Sequence, residues 1–148
     1  MAKPTLSNLV FEVHVKASLI VLKHGPGKPS QEEWESYLNA LRPISERLGE
    51  MRIVVFTDGG RPLLEQQKQL NELAMGRSVR TAVVSSNMAV RFVIAMFALV
   101  NASIRGFDST QHGHAFGYLG LTPDERNLAE RIERRLSLAL DSANQQAA

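Results

Sequence analysis

Four short runs rich in apolar and β-branched residues, at 19–22, 52–56, 81–85 and 103–107, recur along the chain, and amphipathic helical stretches separate the later ones. This alternation excludes most architectures. A strand that leads through a helix into another strand of the same sheet lies parallel to it, with a right-handed crossover, so the repeats dictate a layered α/β fold. Ahead of them Phe11, Val13 and Val15 alternate with Glu12, His14 and Lys16, the period of a half-buried strand. Ala17-Ser18 then makes a tight hairpin into Leu19. The expected sheet is mixed and four- to five-stranded, with an N-terminal antiparallel pair and parallel strands crossed by helices.

Helix ends are marked by their own chemistry. Ser30-Gln31-Glu32-Glu33 is a capping box that opens a helix with the inward stripe Trp34, Tyr37, Leu38, Leu41 and Leu48. Pro43 removes a backbone donor within that stretch, which predicts a kink or break near Arg42. After the Thr57-Asp58-Gly59-Gly60 loop, Pro62 suits a first helical position, and the helix 63–75 closes at Gly76. A further strand leads into a helix over 87–101, and the strand 103–107 into a short helical stretch at about 114–119. Thr122-Pro123-Asp124-Glu125 is a second capping box, and its helix turns Leu128, Ile132, Leu136, Ala139 and Leu140 inward, with Glu130 and Arg134 paired outside. Residues 1–148 read as one domain: a core at about 8–121, a C-terminal amphipathic helix at about 122–140 and a flexible tail at 141–148.

Composition narrows the function classes. Seventeen Lys and Arg against fifteen Asp and Glu leave a net charge of +2, and no cysteine is present. There is therefore no disulfide, thiolate zinc site or cysteine nucleophile. Arg126, Arg131, Arg134 and Arg135 alternate with Glu125, Glu130 and Glu133, a solvated face rather than a phosphate-binding stripe, so no nucleic-acid partner is expected. The longest apolar stretch, 88–100, is broken by Arg91 and falls short of the ~20 residues a membrane span needs. With no signal-peptide pattern at the N-terminus, a cytoplasmic location is the expectation.

Loops that follow parallel strands open on one edge of the sheet, where α/β ligand sites form. They bring together Thr57, Asp58, Gly59, Gly60 and Arg61, then Ser85, Ser86 and Asn87, then Asp108, Ser109 and Thr110. The first loop, at a helix N-terminus beside Arg61, suits an anion or a partner protein. The same residues also satisfy a purely local geometry, in which Asp58 and the glycines make a turn while Ser86 and Thr110 cap helices. His112 and His114 stand two apart, a spacing that separates them on a helix, and His14 and His24 add no ligand spacing, so neither metal nor cofactor is expected. No catalytic motif is present, and a non-enzymatic role is expected. The helix 87–101 is apolar all round except at Arg91. Met88, Phe92, Met96 and Phe97 are accordingly candidates for self-association, as in a homodimer, or for an apolar ligand.

The order of these elements, with Ile53-Val54-Val55-Phe56-Thr57-Asp58-Gly59-Gly60, Ala82-Val83-Val84-Ser85-Ser86, Ile104-Arg105-Gly106-Phe107 and Ala115-Phe116-Gly117-Tyr118-Leu119-Gly120, resembles the STAS domain family of anti-sigma-factor antagonists. It is most similar to their SpoIIAA-like branch of small bacterial proteins. The resemblance spans about residues 8–121. It implies a non-catalytic regulatory or scaffolding module that docks on a protein partner, in some members under control of a phosphorylated loop hydroxyl. This chain departs from that pattern, with Asp58-Gly59-Gly60 where the antagonists place a serine and Thr57 as the loop's hydroxyl. The alternative is a binding module for a small apolar or anionic ligand. Similarity of the sheet to lipid-carrier domains implies a pocket bordered by the helix 88–100.

Overall fold

The computed structural model describes residues 6–90, 94 and 103–147. Five strands form one sheet in the order β1 (Leu9–His14), β2 (Leu19–His24), β3 (Arg52–Phe56), β4 (Arg80–Val84) and β5 (Ile104–Phe107). β1 is antiparallel to β2, and every later pair is parallel, as the alternation requires. The hairpin is wider than the sequence suggests. Val15 has left the strand and accepts a hydrogen bond from Ser18 N at 3.1 Å, and Ser18 takes the left-handed conformation at φ 51°.

Because side chains alternate across a sheet, each strand feeds two layers. Ile20, Leu22 and Ile53 face α1 (Gln31–Leu41), the 3-10 helix Arg42–Glu50 and α2 (Leu64–Leu73), where Trp34, Tyr37, Leu41 and Leu48 complete the first core. Leu19, Val21, Val54, Phe56, Ala82 and Val84 face α3 (His112–Leu119) and α4 (Pro123–Ala147), where Phe116, Ile132 and Leu136 complete the second. Val90 and Ile94, both helical, pack on Val83 and Ile104 beside the first layer.

The expected helix signals act where they should. The regular α-helix ends at Leu41 and continues as a 3-10 helix through Pro43. Ser30 Oγ accepts from Glu33 N and Glu33 Oε1 from Ser30 N, both at 3.0 Å. The second carboxylate oxygen of Glu33 accepts from Asn8 N at 2.9 Å and Leu9 N at 3.1 Å, so one cap also anchors the start of β1. Burial pushes the Glu33 pKa up, but the hydrogen bonds from Ser30, Asn8 and Leu9 outweigh it and hold the carboxyl below its ordinary range.

Other boundaries move. α2 starts at Leu64, so Pro62 precedes the helix rather than opening it, and Leu63 N donates to Gln66 Oε1 at 2.9 Å. The expected tail at 141–148 is helical through residue 147. Asn144 fastens this last stretch, its Oδ1 accepting from Ser7 N at 2.7 Å and its Nδ2 donating to Ser7 O at 3.2 Å. Ala129 rather than Ala139 completes the inward stripe of α4, and Ala139 is exposed. Glu130, expected beside Arg134, instead lies 3.2 Å from His112 Nδ1. Among the described residues no helix is long and apolar enough to cross a membrane.

Candidate functional site

The carboxyl edge of the sheet carries the predicted loops, and the first two are joined. Asp58 Oδ1 accepts from Ser86 Oγ at 3.3 Å, and the Asp58 carbonyl accepts from Asn87 Nδ2 at 3.2 Å. Thr57 is buried. Its hydroxyl donates to Gly60 O at 2.5 Å and accepts from Gly59 N at 3.2 Å, so the expected loop hydroxyl is consumed inside its own turn. α2 begins four residues beyond Gly60 and the Gly59 N–H donates within its own turn, so neither the helix N-terminus nor that N–H is available to the anion expected at this loop. Ser85 is buried and accepts from Asn87 N at 3.1 Å. Asn87, not Ser86, caps the helical segment opening at Met88, its Oδ1 accepting from Ala89 N at 2.9 Å and Val90 N at 3.3 Å. Asp108 Oδ1 accepts from both Thr110 N and Thr110 Oγ1, at 2.9 and 2.8 Å, which makes Thr110 part of that turn rather than a helix cap.

Beneath this edge, between the sheet and its first helical layer, lies a cavity of about 60 Å³. Leu22, Ile53, Val55, Thr81, Val83 and Ile104 from four neighbouring strands make its floor. α1 contributes Trp34 and Tyr37, α2 contributes Gln67 and Leu70, and Val90 and Ile94 come from the segment opening at Met88. Thr57, Gly60, Arg61 and Pro62 border it at the loop. One water needs roughly 10–15 Å³ and a benzene-sized cavity measures about 150 Å³, so this space suits a molecule of only a few heavy atoms. Val55, midway along the central strand, is consequently only half-buried.

The chemistry of the lining is uneven. Nearly all of it is apolar, yet His24 Nδ1, Trp34 Nε1 and Tyr37 Oη are buried without a hydrogen-bond partner. Protein interiors answer almost every buried polar atom, and leaving one unanswered costs about 1–3 kcal/mol. Among the described residues four such side-chain atoms occur, and three belong to residues that line this one cavity. Their residues are nearly inaccessible, at 4%, 1% and 1% exposure. Burial lowers the His24 pKa to about 4, against a hydrogen bond to the Asn8 backbone and the Glu33 charge, so the imidazole is neutral at pH 7. Burial likewise pushes the Tyr37 phenol up. The Thr81 hydroxyl at the floor is answered locally by Val79 O at 2.9 Å.

Other candidates lie elsewhere. His112 sits on the opposite face of the sheet, its ring 5.3 Å from that of Phe56 and 5.8 Å from that of Phe116, and His114 is exposed. Among the described residues no group of three or more metal-ligating side chains assembles. Met88 is 76% exposed, whereas Phe92, Met96 and Phe97 lie outside the described residues. Periodicity places Trp34 and Tyr37 in the core, and His24 offers the sequence no ligand spacing. The available signal was the polar tip of each aromatic side chain, which needs a partner once its body is buried.

Protein-family models, curated proteins and solved structures were each compared with the chain, and none matches.

Proposed function

We propose that the protein is a non-catalytic binding module that takes a small, mainly apolar molecule into the cavity between the sheet and helices α1 and α2, as the effector of a regulatory role in the cytoplasm. One observation carries this reading: three of the lining residues hold buried polar atoms that nothing in the protein answers. A molecule that fills the space and meets those atoms removes an unfavourable term from the folded state, and this is the thermodynamic basis of binding. Native mass spectrometry of freshly purified protein tests it. A stoichiometric low-mass adduct, lost after unfolding and refolding in clean buffer, is the expected result; a single apo mass before and after refolding counts against it.

A second reading is a regulatory or scaffolding protein-interaction module, in line with the resemblance to anti-sigma-factor antagonists. It is favoured by the surface around the same loops, where Leu63, Leu64 and Met88 are 45%, 42% and 76% exposed within a few residues of exposed Asp58 and Arg61. Apolar side chains beside charges of both signs suit a protein surface, from a partner or from a second copy. Changing Asp58 and Arg61 together to Ala should abolish capture of an endogenous protein; unchanged capture removes the loop from this reading.

A further inference from the structure

We infer that the molecule accepted by the cavity is uncharged and presents one hydrogen-bond-accepting oxygen, of carbonyl type, to Trp34 and Tyr37. This rests on the reading of the cavity as a ligand site and specifies its chemistry.

The donor inventory sets the polarity. An indole N–H can only donate, so the partner of Trp34 must be an acceptor, whereas a phenol can donate or accept. The two residues stand three apart on α1, on adjoining positions of one helix face, with ring centroids 5.4 Å apart. A carbonyl oxygen has two lone pairs, so a single atom can answer both donors. His24 is neutral, and its hydrogen bond to the Asn8 backbone uses the one N–H of a neutral imidazole, which leaves the unpartnered Nδ1 as an acceptor.

Charge is excluded by the surroundings. Among the described residues the one charged side chain that borders the cavity is Arg61, which is exposed at the rim. A carboxylate placed among Leu22, Ile53, Val55 and Leu70 would lose its hydration with no buried counter-charge among the described residues. An ammonium would bring further donors to a site whose indole already has none to meet. The small volume then limits the occupant to a short ketone, aldehyde or amide, or to the corresponding end of a longer molecule whose remainder leaves past Gly60 and Arg61.

Trp34 is the only tryptophan of the chain, so its indole N–H gives a single resonance in a ¹⁵N-correlated NMR spectrum. The full chain is titrated with 2-butanone and with butanoate, and pressurised separately with xenon. The expected result is that 2-butanone moves the indole resonance and binds roughly tenfold more tightly than butanoate, and that Tyr37→Phe weakens 2-butanone about fivefold while leaving xenon uptake unchanged. Butanoate binding as tightly as the ketone would overturn the inference in favour of an anion site. Xenon uptake without preference for the ketone would overturn it while leaving the cavity as an apolar ligand site. If neither the ketone, the carboxylate nor xenon is taken up, both readings fall.

Discussion

Arg52, the first residue of β3, grips Glu125, in the first turn of α4, with two parallel hydrogen bonds, Nη1 to Oε1 at 3.1 Å and Nη2 to Oε2 at 2.6 Å. Thr122 N donates to the same carboxylate at 2.9 Å, so the capping box of the last helix is bolted to the central strand.

Glu125 should therefore govern part of the acid sensitivity. The Arg52 hydrogen bond, with the Thr122 backbone, lowers its pKa to about 2 from an ordinary 4.5, so its contribution is complete above pH 4.5 and is lost as the pH falls towards 2. Glu125→Ala should cost about 1–2 kcal/mol at pH 7, a drop in Tm of roughly 2–8 °C. The difference between variant and parent in urea denaturation should shrink steadily below pH 4.

His24 works in a higher window and through the unfolded chain. Its folded-state pKa of about 4 lies below the ordinary 6.5, so the unfolded state binds the extra proton first and stability falls as the pH drops from 6.5 towards 4. The full span amounts to on the order of 3 kcal/mol. Replacing His24 with Leu should flatten the stability profile between pH 4.5 and 6.5, and an undiminished slope in that variant would assign the effect elsewhere.

The two glycines of the first loop should behave oppositely. A Cβ on Gly60 would sit 1.9 Å from the Gly25 carbonyl oxygen and 2.6 Å from that of Gly27, backbone atoms that cannot step aside. Gly60→Ala should destabilise by on the order of 3 kcal/mol, whereas Gly59→Ala, whose nearest neighbour is Asn87 Nδ2 at 3.9 Å, should stay within about 0.5 kcal/mol. Equal chemical denaturation midpoints for the two variants would refute the close approach.

Tyr37→Phe should be an exception among core changes. The phenol oxygen has no partner in the protein, so its removal in the ligand-free state should be neutral or stabilising by up to about 1 kcal/mol. Leu41→Ala, at a site with no exposure, should cost about 2–5 kcal/mol in the same calorimetric comparison. A loss of more than 1 kcal/mol in the phenylalanine variant would show that the hydroxyl is answered from within the chain.

Most of the fold is legible because its signals are local. The Ser30–Glu33 and Thr122–Glu125 boxes and the break before Pro43 each need only neighbours within a turn. The misplaced boundaries depend on distant partners: the last turns of α4 are fastened by Ser7, and Glu130 meets His112 across two helices. The site divides the same way. The carboxyl-edge loops are found where strand order puts them, but whether their hydroxyls are spare depends on bonds such as Thr57 to Gly60, and Thr57 is not spare. The cavity leaves no trace in periodicity, because a helix stripe looks identical whether Trp34 and Tyr37 fill the space against Val55 or leave it partly open.

The clasp between Ser7 and Asn144 brings positions 137 residues apart in sequence within one side chain's reach. Spatial closure of this kind separates the architecture from the order of synthesis. A short flexible bridge across the clasp, with new ends cut in the exposed turn at Ser109 and Thr110, would cut no strand and should preserve the strand order. Such a permutant would begin with α3 and α4 and acquire the central sheet afterwards, which makes the two layers separable in time while they remain inseparable in space.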